Sequence, residues 1–379
     1  MGMQYCKKKR HMNRVAFLLL VVVLSSVMFT GCDKTARSHE DWEIAQHINL
    51  DSICKVSISD VVDSITFLTL PENDGHFIRR ITKIRYLQDK IYIYDHGQSL
   101  VAVYDSLGLP LFCVASLGQG PGEYVKSACF AVDDKYIYIV DNFSKNLLVY
   151  DAFNGNYVKT MKMPFIADDI ECLTDNSIAF CNVNMPGTVL DISQPDYRLF
   201  ITDSLLNIME KIYPSTGDDP IGQQSYFESY NDTIIFGSVL FDGFTIISDN
   251  PDNRISLVTV NFTDGIKSHT DVQIDEIFNY QFISEVPKKC GKYYFIPINY
   301  GKGDMRHLLW KEDESKSVLT SDLNYPFYPI GSIKDSFIGF IDSEDTYHQL
   351  INLGMEKAPL FIEDKLRQEE IALIFYHMR

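Results

Sequence analysis

Apolar and polar residues alternate in short runs along most of this chain, and two neighbouring stretches share one pattern. Asp89-Lys90-Ile91-Tyr92-Ile93-Tyr94-Asp95 leads on to Val103-Tyr104-Asp105. Asp134-Lys135-Tyr136-Ile137-Tyr138-Ile139-Val140-Asp141 leads on to Val149-Tyr150-Asp151. Asp95 to Asp141 and Tyr104 to Tyr150 each span 46 residues. A strand-rich repeat of about 40–50 residues is the period of a propeller blade.

Each copy divides into four strands, A to D from the axis outward. The first predicts strands at 81–87, 90–95, 100–105 and 110–117, and the second at 127–132, 135–141, 146–151 and 157–163. Asp-Lys, His-Gly-Gln and Asn154-Gly155 punctuate them as turns. Weaker copies follow: 177–182, 198–203 and 208–213; then 233–238, 244–248 and 255–262; then 292–298, 307–310 and 317–320; and a sixth opening at 336–342. Leu350 to Glu370 is charged and helix-compatible, and Ile371–Tyr376 is a plain apolar strand. Residues 63–70 alternate apolar and polar ahead of the first copy, so they form an orphan strand needing a partner. The expected fold is therefore all-β: a six-bladed β-propeller closed by the N-terminal strand, with a short C-terminal helix before the last strand. Closing the ring this way removes free sheet edges.

The N-terminus reads as an address. Lys7, Lys8, Lys9, Arg10 and Arg14 precede an apolar run, Val15–Phe29, broken only by Ser25 and Ser26. The run is short for a membrane span, which needs about 20 residues, and suits a signal-peptide core. Thr30-Gly31-Cys32 follows at once and resembles the lipobox of bacterial lipoproteins, in which the cysteine thiol carries the lipid. The expected organisation is a signal peptide over 1–31, a polar tether over 32–60 and the propeller over 61–379.

Charge and cysteines narrow the chemistry. The chain carries a net charge of −17, and the signal segment holds five basic and no acidic residues, so its removal gives −22. Such a surface repels nucleic acid and anionic headgroups, leaving the lipid anchor as the expected membrane contact. The eight cysteines include no C-x-x-C pair, and several lie among apolar strand residues, as buried thiols do. The nine histidines show no metal spacing, so no metal ligand set is assigned.

In a propeller the D-to-A and B-to-C connections share one face, and the candidate ligand-binding residues come from those of the first two blades. They are Arg79, Arg80, Asp95, His96, Glu123, Tyr124 and Asn142. Glu123 and Tyr124 end the segment Gly118-Gln119-Gly120-Pro121-Gly122-Glu123-Tyr124, whose glycines permit a tight turn. That segment resembles the G-x-G-P-G-E-[YF] signature of six-bladed, NHL-related β-propeller lipoproteins of gut-associated Gram-negative bacteria. The Tyr-Asp strand ends and the terminal apolar strand are similar to that family too, and the resemblance covers roughly residues 55–379. It implies the propeller fold and an outer-membrane lipoprotein of the cell envelope, periplasmic or surface-exposed. No catalytic residue stands out. The leading expectation is a binding or scaffolding module for a glycan, peptide or partner envelope protein. The alternative is a calcium-dependent propeller hydrolase, lactonase or lyase, because Asp95 and Asp141 end equivalent B strands and Ca2+ takes oxygen ligands.

Overall fold

The computed structural model describes residues 44–50, 58–183, 197–214, 222–237, 242–248, 254–265, 276–312, 318–320 and 327–379. The expected signal peptide (1–31), Cys32, and residues 33–43 and 51–57 of the expected tether lie outside them.

Six sheets, each built around the expected A-to-D hairpins, make a six-bladed β-propeller. Two strands precede the first blade: β1 (Ile44–Asn49) and β2 (Val62–Leu70). Blade 1 holds β3 (Lys83–Leu87), β4 (Lys90–Asp95), β5 (Leu100–Asp105) and β6 (Pro110–Val114). Blade 2 holds β7 (Cys129–Val132), β8 (Tyr136–Asp141), β9 (Asn146–Asp151) and β10 (Tyr157–Lys162). Blade 3 holds β11 (Asp169–Cys172), β12 (Ile178–Cys181), β13 (Tyr197–Thr202) and β14 (Ile208–Pro214). Blade 4 holds β15 (Phe227–Tyr230), β16 (Thr233–Gly237), β17 (Gly243–Ile247) and β18 (Ile255–Asn261). In blade 5, β19 (Gln281–Ile283) and β20 (Lys288–Cys290) share the inner position against β21 (Tyr293–Tyr300), followed by β22 (Met305–Lys311) and β23 (Val318–Thr320). Blade 6 holds β24 (Gly331–Ile333), β25 (Ser336–Ile341) and β26 (Ile371–Met378), and β2 supplies its outermost strand.

The ring thus closes as the sequence predicts. β2 pairs antiparallel with β26 from Val62–Met378 to Leu70–Ile371. The tether departs from expectation. Its residues 44–49 form β1, a fifth strand parallel to β18 at the outer edge of blade 4, with Ile48 and Leu50 buried. Ile48 of β1 and Leu50 just past it pack into the apolar cluster that joins blades 4 and 5. The helical insert also begins earlier than expected and is two helices, α1 (Glu344–Asn352) and α2 (Leu360–Leu366). The Ser343 side chain caps α1 by accepting from the Thr346 amide at 3.1 Å, which fixes its start.

Apolar clusters lie between the blades. Tyr92, Phe130 and Ile139 belong to one joining blades 1 and 2, and Phe244, Tyr294 and Trp310 to one joining blades 4 and 5. Buried tyrosines satisfy their hydroxyls on backbone carbonyls of other segments: Tyr104 on Pro71 at 2.9 Å, and Tyr150 on Gly122 at 2.8 Å. Each ring therefore fills space between blades while its polar tip ties two segments together.

The strand directions define two faces. D-to-A and B-to-C connections lie on the upper face, A-to-B and C-to-D turns on the lower. The α1–α2 insert, joining β25 to β26, is an upper-face connection. β1 runs parallel to β18, so residue 44 enters the propeller from the lower face.

Candidate functional site

On the upper face, Asp95 ends β4 and is buried. Its Oδ2 accepts from the Arg79 and Arg80 amides at 2.9 and 3.1 Å, and its Oδ1 from the Gln98 amide at 3.1 Å. Asp141, one repeat on, accepts in the same way from Val125, Phe143 and Ser144. Both carboxylates pin a D-to-A connection to a B-to-C turn, and the N–H groups around them make them turn caps. Among the described residues no group of three or more His, Cys, Asp or Glu is arranged to hold a metal ion.

The next residue in each blade reaches forward. Asn142 donates to the Ala167 carbonyl at 2.8 Å and accepts from the Ala167 amide at 3.1 Å, clasping the entry to blade 3. His96 sits 3.1 Å from the Tyr94 hydroxyl, which also lies 3.0 Å from Ser127 Oγ at the entry to blade 2. Burial, with Lys126 nearby, holds the His96 imidazole below its ordinary pKa, so it is neutral at pH 7. Arg79 and Arg80 spend only their amides on Asp95, and their side chains are exposed. The structure therefore gathers Arg79, Arg80, Asp95 and His96, with Lys126, at the start of β3 and β7.

The glycine-rich segment lies elsewhere. Tyr150 donates to the Gly122 carbonyl, and a Cβ on Gly122 would fall 2.6 Å from the ring of Tyr157, an outer-strand residue. The segment therefore runs along the perimeter between blades 1 and 2. Of the candidate ligand-binding residues, Glu123 and Tyr124 lie on this perimeter segment. Glu123 is exposed there and accepts from the Gly120 amide at 2.8 Å. Tyr124 is fully buried and donates to the Ser99 and Val114 carbonyls at 2.7 and 3.2 Å. It is an inter-blade pillar, not a surface group.

The axis holds charges that the sequence reading passed over. Lys83 and Arg85 project from β3, Asp169 and Glu171 from β11, Glu228 from β15 and Lys288 from β20, and all are buried. Lys83 Nζ lies 2.9 Å from Asp169 and 3.3 Å from Glu171. Arg85 lies 2.5 Å from Glu171 and 3.3 Å from Glu228. The other Asp169 oxygen accepts from Ser225 Oγ and from the Tyr226 and Phe227 amides, at 2.7–3.0 Å. Two cations and three anions thus pair across the axis and bind blades 1, 3 and 4, while Lys288 of blade 5 donates to the Val286 carbonyl at 2.9 Å. A Cβ on Gly331 would fall 2.6 Å from Ile84, so the inner strands come too close there for a side chain.

The electrostatics follow from burial and pairing. Burial pushes the Asp169 carboxyl up, but Lys83 and the surrounding donors outweigh it and leave it below the ordinary range. Burial pushes Glu228 up, and Arg85 and Lys288 only partly offset this. Burial disfavours the Arg85 cation, yet Glu171 and Glu228 more than restore it. The available signal was an alternation of period two, Lys83-Ile84-Arg85 answered by Asp169-Ile170-Glu171 with opposite sign.

Comparison with known proteins agrees with this architecture. A solved Bacteroides fragilis NCTC 9343 protein, whose name calls it exported, superposes with a TM-score of 0.70 at 16% identity, covering 88% of this chain and 99% of that one. A member of the DUF4221 family from Bacteroides vulgatus ATCC 8482 gives 0.47 at 12% identity over 84% and 98% of the two chains. BamB from Moraxella catarrhalis gives 0.39 at 11% over 74% and 71%. No curated protein matches the chain. Residues 40–373 match one family over nearly the whole propeller, and the chain belongs to that family, described as a domain of unknown function, DUF4934.

Proposed function

We propose that this protein is a lipid-anchored envelope propeller that binds an anionic glycan, peptide or envelope protein on its upper face. One observation carries the reading. Arg79 and Arg80 hold their side chains exposed on the upper face of a chain with a net charge of −17, and Lys126 is exposed at the next D-to-A connection of that face. The axial charges are already satisfied by one another, whereas these guanidinium groups offer planar forks suited to carboxylate or sulfate. The Asp95 and Asp141 caps hold the backbone beneath them, so the site is preorganised. Anchoring rests on Thr30-Gly31-Cys32 after the apolar run. No helix among the described residues is long and apolar enough to cross a membrane.

The binding test is a thermal-shift series with sulfated polysaccharide, polyglutamate and neutral dextran, with and without chelator. An acidic ligand should raise the melting temperature, dextran should not, and Arg79→Gln/Arg80→Gln should abolish the rise without altering the unliganded melt. A rise that survives the double substitution refutes this site. Metabolic labelling with a fatty-acid analogue tests the anchor, and equal labelling of Cys32→Ala would remove it.

A further inference from the structure

Each of the two buried caps, Asp95 and Asp141, fastens an exposed phenyl ring and an exposed cation to one hub of upper-face backbone. In blade 2, Asp141 Oδ2 accepts from the Val125 amide at 2.9 Å, and its Oδ1 accepts from the Phe143 amide at 2.9 Å. The two segments bridged by that single carboxylate carry Lys126 and Phe143, both exposed, Phe143 to 75%. In blade 1, Asp95 accepts from the Arg79 and Arg80 amides and from Gln98 Nε2 at 2.7 Å. Gln98 Nε2 also donates to the Phe77 carbonyl at 2.8 Å, and Phe77 is 46% exposed. Lys126 keeps the position before Asp141 that Arg80 keeps before Asp95, so the cation recurs with the repeat. The two hubs are joined, because the Tyr94 hydroxyl lies within hydrogen-bond reach of both His96, next to Asp95, and Ser127, next to Lys126.

Scattered exposed apolar residues need no account. Two rings, each fastened to a cation-bearing connection by the same kind of carboxylate, are a built arrangement. Its chemistry selects an occupant. Exposed guanidinium and ammonium groups on a chain of net charge −17 call for acidic groups. The rings add flat apolar faces, and Phe143 is too exposed to line a closed pocket. A peptide's apolar side chain gains most in a pocket sealed from water. A pyranose ring needs none: its C–H face is flat and lies against an aromatic face while its hydroxyls stay hydrated.

We propose that the upper-face ligand is an acidic polysaccharide, a polymer of uronic acid residues. Its carboxylates pair with Arg79, Arg80 and Lys126, and its sugar rings lie on Phe77 and Phe143. This rests on the upper-face reading above and names the ligand class within it. A polymer of repeating acidic sugars suits hubs that recur from blade to blade. Each contact is weak alone, and one chain engaging both hubs gains through effective concentration.

The test compares three polymers by titration calorimetry at low ionic strength. Polygalacturonate has both acid and sugar ring, polyglutamate has acid without the ring, and dextran has the ring without acid. Wild-type protein should bind polygalacturonate more tightly than polyglutamate and should not bind dextran. Phe77→Leu/Phe143→Leu keeps the apolar bulk and removes the flat faces. It should weaken polygalacturonate binding about tenfold, with polyglutamate binding and the unliganded melting temperature unchanged. Polyglutamate bound as tightly as polygalacturonate, or a leucine variant that binds polygalacturonate like wild type, overturns the sugar assignment alone and leaves an upper-face site for acidic peptides. Polygalacturonate binding that survives Arg79→Gln/Arg80→Gln, or no binding of either acidic polymer, overturns the upper-face reading and this assignment with it.

Discussion

Arg85→Met is the sharpest probe of the axial network. Arg85 makes five hydrogen bonds: two to Glu171, one to Glu228, and one each to the Ile84 and Phe227 carbonyls. Methionine keeps most of the stem's volume and removes every donor. Glu171 and Glu228, whose side chains are each 3% exposed, would then share only the lysines. Stranding a buried charge in this way costs about 3–5 kcal/mol. At roughly 2.1 cal/mol/K per residue, a domain of roughly 320 residues unfolds with an entropy of about 0.7 kcal/mol/K, so the melting temperature should fall by about 4–7 °C. The deficit should depend on pH with a definite sign. Losing Arg85 raises the Glu228 pKa further, so the folded state keeps a proton that the unfolded state releases near pH 4.3. The penalty is smallest below that value and grows as pH rises through the folded one. It should therefore be larger at pH 8 than at pH 5. Adding Glu228→Gln should recover part of the loss. Calorimetry of the single and double variants at both pH values is the assay. A single variant melting within about 1 °C of wild type at pH 8, or a double variant losing the sum of its parts, would refute the network as described.

Other outcomes follow from particular contacts. Gly331→Ala should destabilise by about 1–3 kcal/mol in chemical denaturation, because the added carbon meets Ile84 at 2.6 Å and Glu228 at 3.3 Å. Tyr124→Phe should cost about 1–2 kcal/mol by removing the buried hydroxyl that the Ser99 and Val114 carbonyls share, and should leave binding on the upper face unchanged. Deleting 62–70 should lower the melting temperature far more than deleting 44–50, since β2 completes a blade and β1 only adds to one; equal melts by circular dichroism would contradict ring closure.

The hairpins of blades 1 and 2 were legible because tyrosine, isoleucine and valine repeat at a fixed period, and the orphan strand at 63–70 could be matched to the lone C-terminal one. Five inner strands were not, three of them charged. Asp169-Ile170-Glu171-Cys172, Phe227-Glu228-Ser229-Tyr230 and Lys288-Lys289-Cys290 are short and charged, and their partners lie far away in sequence: Lys83 meets Asp169 across 86 residues, and Arg85 meets Glu228 across 143. Such charges look solvated until the ring brings them together. β1 was missed for the opposite reason, as its few apolar residues are diluted by Gln46, His47 and Asn49. For the candidate site, the shared face was readable from topology, but depth within that face was not. Tyr124 belongs to the packing and Glu123 to the perimeter, and nothing in the glycine-rich segment itself distinguishes perimeter from mouth.

Ring closure by β2 also sets an order of events in folding. Thr66 and His377, bonded at 2.8 Å across the closing seam, are 311 residues apart. Closing a loop of that length costs on the order of 5 kcal/mol beyond a constant term, and nothing repays it until the seam pairs along its whole length. β2 lies early in the chain, and its one strand partner among the described residues is β26. Throughout chain growth it is an unpaired, alternating strand of the kind that recruits foreign edges. Folding is therefore gated by delivery of the final eight-residue strand, and a nascent chain that stalls before Ile371 has no native route to hiding its own beginning.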